Sequence, residues 1–249
     1  MKNIVITGAT SGLGAEFAKQ YAKDGICLYL TGRNKRRLEE VTKECELKGA
    51  RVEAAIIDIK DSKKLTSWIE KIPEIDLIIA NAGISAGTGG GGENITQVRN
   101  IFDTNIYGVI DTIHPAINNM KEHKKGQIVI ISSLSAYRGL PSSPAYSASK
   151  AAVKIYGEAL RGVLQADNIK LTVVTPGYIK TPMTDANNFY MPFLIDANKA
   201  VSIIIRKLKK NPARIAFPAP LYFIVWFLTI LSPALTDPLF SRLPKKNSQ

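Results

Sequence analysis

Short runs rich in apolar and β-branched residues recur through the first three quarters of the chain, at residues 3–7, 26–31, 52–57, 77–80, 128–132 and 170–175. Between the first four, residues 15–23, 35–48 and 62–71 repeat apolar positions at helical spacing, with charged residues on the opposite side. Longer helical stretches precede the last two runs. Apolar strands that alternate with amphipathic helices build a parallel sheet covered on both faces. The pattern therefore predicts an α/β fold, a doubly wound parallel sheet in a single domain. A length of 249 residues suits one such domain. No internal repeat and no interdomain linker interrupts it. The catalytic domain is expected over residues 1–211, with an apolar C-terminal extension over 212–249.

The last fifth breaks the pattern. Residues 215–236 carry no charge, and Pro218, Pro220 and Pro233 divide them. A spanning helix needs about 20 apolar residues, and the stretch between prolines is shorter, which suits an interfacial or buried helix. From Lys199 to the end the chain holds nine basic residues and one acid, so +8 of its net +12 lies here. Basic residues around an apolar centre point to an anionic membrane surface more than to nucleic acid, for which no recognition motif is present. Three readings of the extension follow: peripheral contact with lipid, a lid over an apolar substrate, or packing against another subunit.

Composition excludes several classes. With 45% hydrophobic and 22% charged residues the chain is an ordinary globular one. Cys27 and Cys45 show neither metal nor disulfide spacing, and a reducing compartment fits them. His114 and His123 lack metal-ligand spacing, and no metal site is expected. Residues 1–7 read directly as a strand without a leader, so a cytoplasmic catalytic part is expected. Residues 87–92, five glycines and a threonine, lack the lysine and hydroxyl residue of a triphosphate loop and read as a surface loop.

The candidate chemistry begins at Thr7-Gly8-Ala9-Thr10-Ser11-Gly12-Leu13-Gly14. Gly8 permits a sharp bend, Gly12 a close backbone approach, and Gly14 packing of the helix on the sheet. With Ser11 and Leu13 they open a helix whose N-terminus suits a pyrophosphate. The second strand ends in Thr31-Gly32-Arg33, without the acid that accepts from a ribose 2′-hydroxyl. Arg33 offers instead a fork of donors suited to a 2′-phosphate, so NADP(H) is expected over NAD(H).

Ser143-Pro144 reads as a helix N-cap and first turn. Tyr146 and Lys150 then lie four apart on one helical face. A free tyrosine, with a pKa of about 10, is a poor base at neutral pH. A nearby ammonium and a positively charged nicotinamide ring favour the phenolate, so Tyr146 is expected to move a proton to or from a carbonyl oxygen. Ser132, Ser133 and Ser135 each offer a hydroxyl for that oxygen.

The spacing Gly-x-x-x-Gly-x-Gly, with Asn81-Ala82-Gly83, Tyr146-x-x-x-Lys150 and Pro176-Gly177, resembles the short-chain dehydrogenase/reductase family over about residues 2–183. The resemblance implies a Rossmann-type fold and a homodimer or homotetramer. It also implies hydride transfer between a nicotinamide cofactor and an alcohol or ketone. It singles out Ser133 among the serines and makes Asn105 the anchor of a water that links Lys150 to solvent. Asp58 and Ile59 would contact the adenine, Asn81 would brace the sheet beside Ala82 and Gly83, and Lys150 would hold the nicotinamide ribose. Pro176 and Gly177 would shape the nicotinamide pocket, with Thr181 on the carboxamide. Tyr178, Met183, Phe189, Tyr190, Met191 and Phe193 suggest an apolar substrate. The alternative is a dinucleotide-binding sensor or scaffold without turnover, which would be expected to lack part of the quartet Asn105, Ser133, Tyr146 and Lys150.

Overall fold

The computed structural model describes residues 1–88 and 92–241. A seven-stranded parallel sheet forms its centre. In chain order the strands are β1 (Asn3–Thr7), β2 (Cys27–Gly32), β3 (Arg51–Ile56), β4 (Leu77–Ala80), β5 (Gly126–Ile131) and β6 (Ile169–Pro176). Two short strands, β7 (Ile179–Lys180) and β8 (Ile195–Asp196), pair apart from it, and β9 (Arg214–Phe217) closes the far edge. The order β3-β2-β1-β4-β5-β6-β9 reverses direction at β1, between β2 and β4. That reversal opens a crevice at the carboxyl ends of the strands.

The helices are α1 (Gly12–Tyr21), α2 (Lys35–Glu46), α3 (Ser62–Glu70), α4 (Ile95–Phe102), α5 (Gly108–Glu122) and α6 (Pro144–Leu164). They continue with α7 (Pro182–Asp185), α8 (Ala197–Leu208), α9 (Ala219–Ile230) and α10 (Pro233–Phe240). Alternate side chains of each strand feed two cores. Ile4, Ile6, Leu28 and Leu30 pack with Phe17, Leu38 and Ile204 from α1, α2 and α8. Val5, Tyr29, Ile78 and Ile128 pack on the other face with Leu65, Ile113 and Val153 from α3, α5 and α6. Burying both faces is why these strands read as continuous apolar runs. Each fully buried Leu or Ile adds about 1.5–3 kcal/mol of transfer free energy.

Two expectations change. The sheet does not end before residue 212: Arg214–Phe217 pairs with β6 from Val173↔Arg214 to Pro176↔Phe217. Ile215 and Phe217 are buried in the first core, so the apolar extension begins only after Phe217. The prolines then mark helix starts, with Pro220 in the first turn of α9 and Pro233 in that of α10. The basic residues Arg206, Lys207, Lys209 and Lys210 lie at the end of α8, before β9, whereas α9 follows β9. They therefore sit one strand length away from the apolar helix rather than around it. The glycine loop lies partly outside the described residues. At its described ends, Thr88 N–H donates to Ser142 O and Gly92 N–H to Thr88 O. Among the described residues no helix is long and apolar enough to cross a membrane.

Candidate active site

A cleft of about 580 Å³ follows the carboxyl edge of β1, β2, β4, β5 and β6. Its volume falls within the about 300–1,000 Å³ usual for ligand sites. The turn after β1 forms the floor. Gly8 and Gly12 adopt φ of +66° and +55°, conformations that favour glycine. A Cβ at Gly14 would stand 2.2 Å from Gly8 O and 2.5 Å from Asn81 Nδ2. Gly14 thus lies behind the cleft wall and lets α1 approach the sheet. Ser11 is the N-cap of α1 and its hydroxyl makes no capping bond, so it leaves the first-turn N–H groups to the cleft.

Asn81 ties β4 to this turn. Its Nδ2 donates to Thr7 O at 3.0 Å and Gly8 O at 3.3 Å. Thr7 Oγ1 accepts from the N–H groups of Asn81 and Ala82. Thr7 is a brace that sequence reading passed over; its signal was a hydroxyl residue directly before the first glycine.

Arg33, Asp58 and Ile59 line the far end of the cleft, with Arg37 and Asn34 beside them. Arg33 Nη1 stands 3.7 Å from Asp58 Oδ2, a loose pair with an exposed guanidinium. Arg37 ends the basic run Lys35-Arg36-Arg37, and the first turn of α2 brings it to the same wall. Ile59 reaches the cleft while its tip packs against Gly108.

Ser133, Tyr146 and Lys150 meet at the near end. Ser133 follows β5, and its hydroxyl hydrogen-bonds the Tyr146 phenol. The neighbouring serines do not offer theirs to the cleft. Ser132 Oγ donates to Lys150 O at 2.7 Å, and the Ser135 hydroxyl is buried away from the cleft. Lys150 is 4% exposed, with Nζ donating to Ile131 O at 2.9 Å and lying 5.8 Å from the Tyr146 ring centre. Burial pulls its ammonium down to about 8.

The expected lowering of the Tyr146 pKa does not come from the protein itself. Burial holds the phenol above its ordinary value, and the Ser133 hydrogen bond offsets this only in part. At neutral pH the ammonium is still mostly charged, but 5.8 Å from the ring centre it does not bring the phenol below its ordinary value.

Asn105 is fully buried in a π-helical turn, Asp103–Tyr107, between α4 and α5. Its amide is committed to Ile84, accepting from N–H at 2.8 Å and donating to O at 2.9 Å, and it also donates to Ser149 Oγ at 3.0 Å. It stands behind the wall formed by Thr104 and Gly83 rather than in the cleft. Gly83 separates it from Lys150: a Cβ there would lie 3.2 Å from Asn105 Oδ1 and 3.3 Å from Lys150 Nζ.

The α6 N-terminus differs from expectation. Ser143 occupies the N-cap, but its hydroxyl makes no capping bond. Glu93 Oε2 accepts from Ala145 N–H at 2.8 Å instead. A single acid after a glycine run gave no sequence signal for this long-range contact.

Pro176, Gly177 and Thr181 line the cleft after β6. Thr181 packs over Gly12, and its N–H donates to Thr184 Oγ1 at 2.9 Å. Met183 and Thr184 also line the cleft. Tyr178 and Phe189 meet edge to face at 6.3 Å, whereas Tyr190 is largely exposed and Phe193 half exposed. His114 and His123 are engaged elsewhere, with Tyr156 and Asn119 O.

A glycine-floored crevice at the sheet's switch point, ending in a hydroxyl, a phenol and a buried lysine, defines a nicotinamide-dependent oxidoreductase acting on a carbonyl or alcohol. The residues fit the dinucleotide: Gly8 and Gly12 bring bare backbone to the cleft floor, and the first turn of α1 leaves its N–H groups open to it. The chain belongs to the short-chain dehydrogenase family, whose family model matches residues 2–189. An uncharacterized oxidoreductase of Myxococcus xanthus is 31% identical over 98% of this chain and 97% of its own length. An uncharacterized oxidoreductase of Mycobacterium tuberculosis is 32% identical over 94% of this chain and 96% of its own. Among solved structures, a short-chain dehydrogenase from Sphingobium yanoikuyae in complex with NADPH superposes with a TM-score of 0.83 at 20% identity, covering 100% of this chain and 99% of that one. One from Mycobacterium paratuberculosis bound to NAD gives 0.77 at 22% identity, covering 86% and 95%.

Proposed function

We propose that this enzyme reduces an apolar ketone to a secondary alcohol with NADPH as its preferred cofactor. The observation that carries the reading is the pairing of two ends of one cleft: Arg33 and Arg37 at one, the Ser133–Tyr146–Lys150 cluster at the other. When bound, the dinucleotide supplies the hydride. Tyr146 gives its phenolic proton to the carbonyl oxygen, and burial keeps that proton in place at neutral pH. Ser133 hydrogen-bonds the same oxygen as negative charge grows on it. Lys150 holds the ribose and balances the phenolate left behind, and Asn105 anchors the water that returns the proton through Lys150. Asp58 and Ile59 hold the adenine, and Thr181 orients the carboxamide over Pro176 and Gly177.

The apolar substrate is supported by Met183, Ile84 and Ile179 on the cleft wall and by Leu221 of α9 against Gly177. Exposed Tyr107, Ile155 and Val163, near and along the helices that bear Asn105 and Tyr146, support a homodimer or homotetramer. A cytoplasmic location belongs to the same proposal.

The test follows NADPH and NADH oxidation by the full chain against ketones of increasing chain length. Turnover should rise with length and favour NADPH. Tyr146→Phe should lose at least about 100-fold in turnover while dinucleotide still binds; near-normal turnover would sink the mechanism. Arg33→Asp should weaken NADPH binding selectively, and unchanged NADPH affinity would refute the cofactor assignment.

A further inference from the structure

Among the helices of eight residues or more, α9 alone has no buried residue, and it carries no charge. Phe223, Ile224, Trp226, Phe227 and Ile230 are between 45% and 63% exposed. Their spacing puts them along one side of the helix, as an apolar stripe directed outward. The opposite side faces the protein beside the active-site cleft. Leu221 lies against Gly177, which lines the cleft, and the Tyr222 ring meets Tyr137 edge to face at 5.5 Å. One helix thus abuts the cleft wall at Gly177 and presents the rest of its surface to solvent.

The following helix extends the patch. Leu235 and Leu239 of α10 are 72% and 57% exposed. Arg138 pins α10 from beneath, donating to Thr236 Oγ1 at 3.1 Å and Asp237 Oδ1 at 2.7 Å, with its guanidinium 4.8 Å from the Phe240 ring centre. Asp237 is the only acid from Lys199 onward, and this ion pair neutralises it. The sequence then runs on into Arg242, Lys245 and Lys246. The patch is large, apolar and without net negative charge, and a basic segment follows it directly.

We infer that the outer faces of α9 and α10 dock on an anionic lipid bilayer and set the mouth of the substrate cleft against it. At about 1.5 Å per residue, the 12 residues of α9 reach about 18 Å. That falls short of the ~30 Å hydrocarbon core, so the helix lies along the surface. Trp226 suits the headgroup boundary, where amphipathic rings collect. Charge selects lipid over a second copy of the chain. Two copies of a chain of net charge +12 repel each other, whereas anionic headgroups attract it. Docking does not depend on the proposed substrate; entry of the substrate from the membrane rests on the apolar-ketone reading.

The test is co-sedimentation of the full chain with phosphatidylcholine vesicles, with and without phosphatidylglycerol, while turnover of a small water-soluble ketone is followed separately. Binding should require the anionic lipid and weaken with salt. Trp226→Glu and Phe223→Glu should each lower partitioning by more than about tenfold, with melting temperature and soluble-ketone turnover unchanged. In the unaltered protein, brominated acyl chains should quench Trp226, while Trp68 of α3, packed against the second core, stays unquenched. That measurement stands even if a variant fails to fold. No sedimentation with either vesicle overturns the inference. So does self-association that the same substitutions abolish while vesicles are ignored, which would assign the patch to a second copy. Docking without turnover on any ketone would refute the substrate reading and leave the surface intact.

Discussion

Asn105→Asp separates a structural brace from a group that acts on the substrate. The carboxyl has the shape of the amide, so packing is preserved. One oxygen still accepts from Ile84 N–H at 2.8 Å. The other replaces an NH₂ that donates to Ile84 O at 2.9 Å and Ser149 Oγ at 3.0 Å. The bond to Ile84 O is lost, and an acceptor then faces an acceptor; Ser149 Oγ, which donates to Tyr146 O at 2.8 Å, can meet the carboxylate only by turning its proton away from that carbonyl. At about 1–3 kcal/mol for each buried group left unsatisfied, the cost at neutral pH is about 2–6 kcal/mol. For a domain of this size that corresponds to a melting temperature lower by roughly 5–20 °C. The buried carboxyl titrates above its unfolded value, because only its protonated form can donate to Ile84 O. Protons then bind the folded state preferentially, so the variant's deficit should shrink as pH falls toward about 5. Thermal melts of parent and variant at neutral and mildly acid pH read this directly. A variant that melts within about 2 °C of the parent at neutral pH would refute the brace.

Three further expectations follow. Deprotonation of Lys150, whose ammonium is pulled down to about 8, should make kcat/KM for reduction fall above that pH; in Lys150→Arg the slower rate should lose this fall, and a profile unchanged by the substitution would exclude Lys150 as its source. Gly14→Ala drives a Cβ to 2.2 Å from Gly8 O, so dinucleotide affinity and melting temperature should both drop, by about 1–3 kcal/mol in stability; a calorimetric titration matching the parent would show that the turn yields more easily than its backbone contacts imply. Glu93→Ala removes the acceptor for Ala145 N–H and should cost about 1 kcal/mol, with Glu93→Gln retaining most of it; equal urea midpoints for all three proteins would mean that the contact does not hold α6.

Most of the sheet was legible because its strands are buried on both faces. Ile4 and Ile6 enter one core while Val5 enters the other, and a run apolar at every position results. β9 lacked that signal. As the edge strand it alternates, with Arg214 and Ala216 partly exposed and Ile215 and Phe217 buried, and it runs straight into the uncharged residues of α9. A four-residue strand beside a long apolar segment merges with it in sequence and separates only through its pairing with β6. Glu93 was hidden for a related reason. Its partner Ala145 lies 52 residues on in the chain, and nothing local distinguishes Glu93 from a solvated charge.

The meeting of Ser133, Tyr146 and Lys150 in one cleft was legible in the sequence, but their pKa shifts were not. Spacing placed Tyr146 one turn from Lys150, and closeness suggested that the ammonium would draw out the phenol's proton. In the fold, both groups lose water together. Burial raises the phenol and lowers the ammonium, so each moves toward its neutral form. A pair shifted this way holds the phenolic proton, the form that donates to a carbonyl oxygen, at neutral pH. How far the lysine is buried, a property of β5 and α6 packing on the segment around Gly83, thus sets the pH at which the pair changes its protonation. A less buried lysine would hold its charge to higher pH with no change in the residues of the motif.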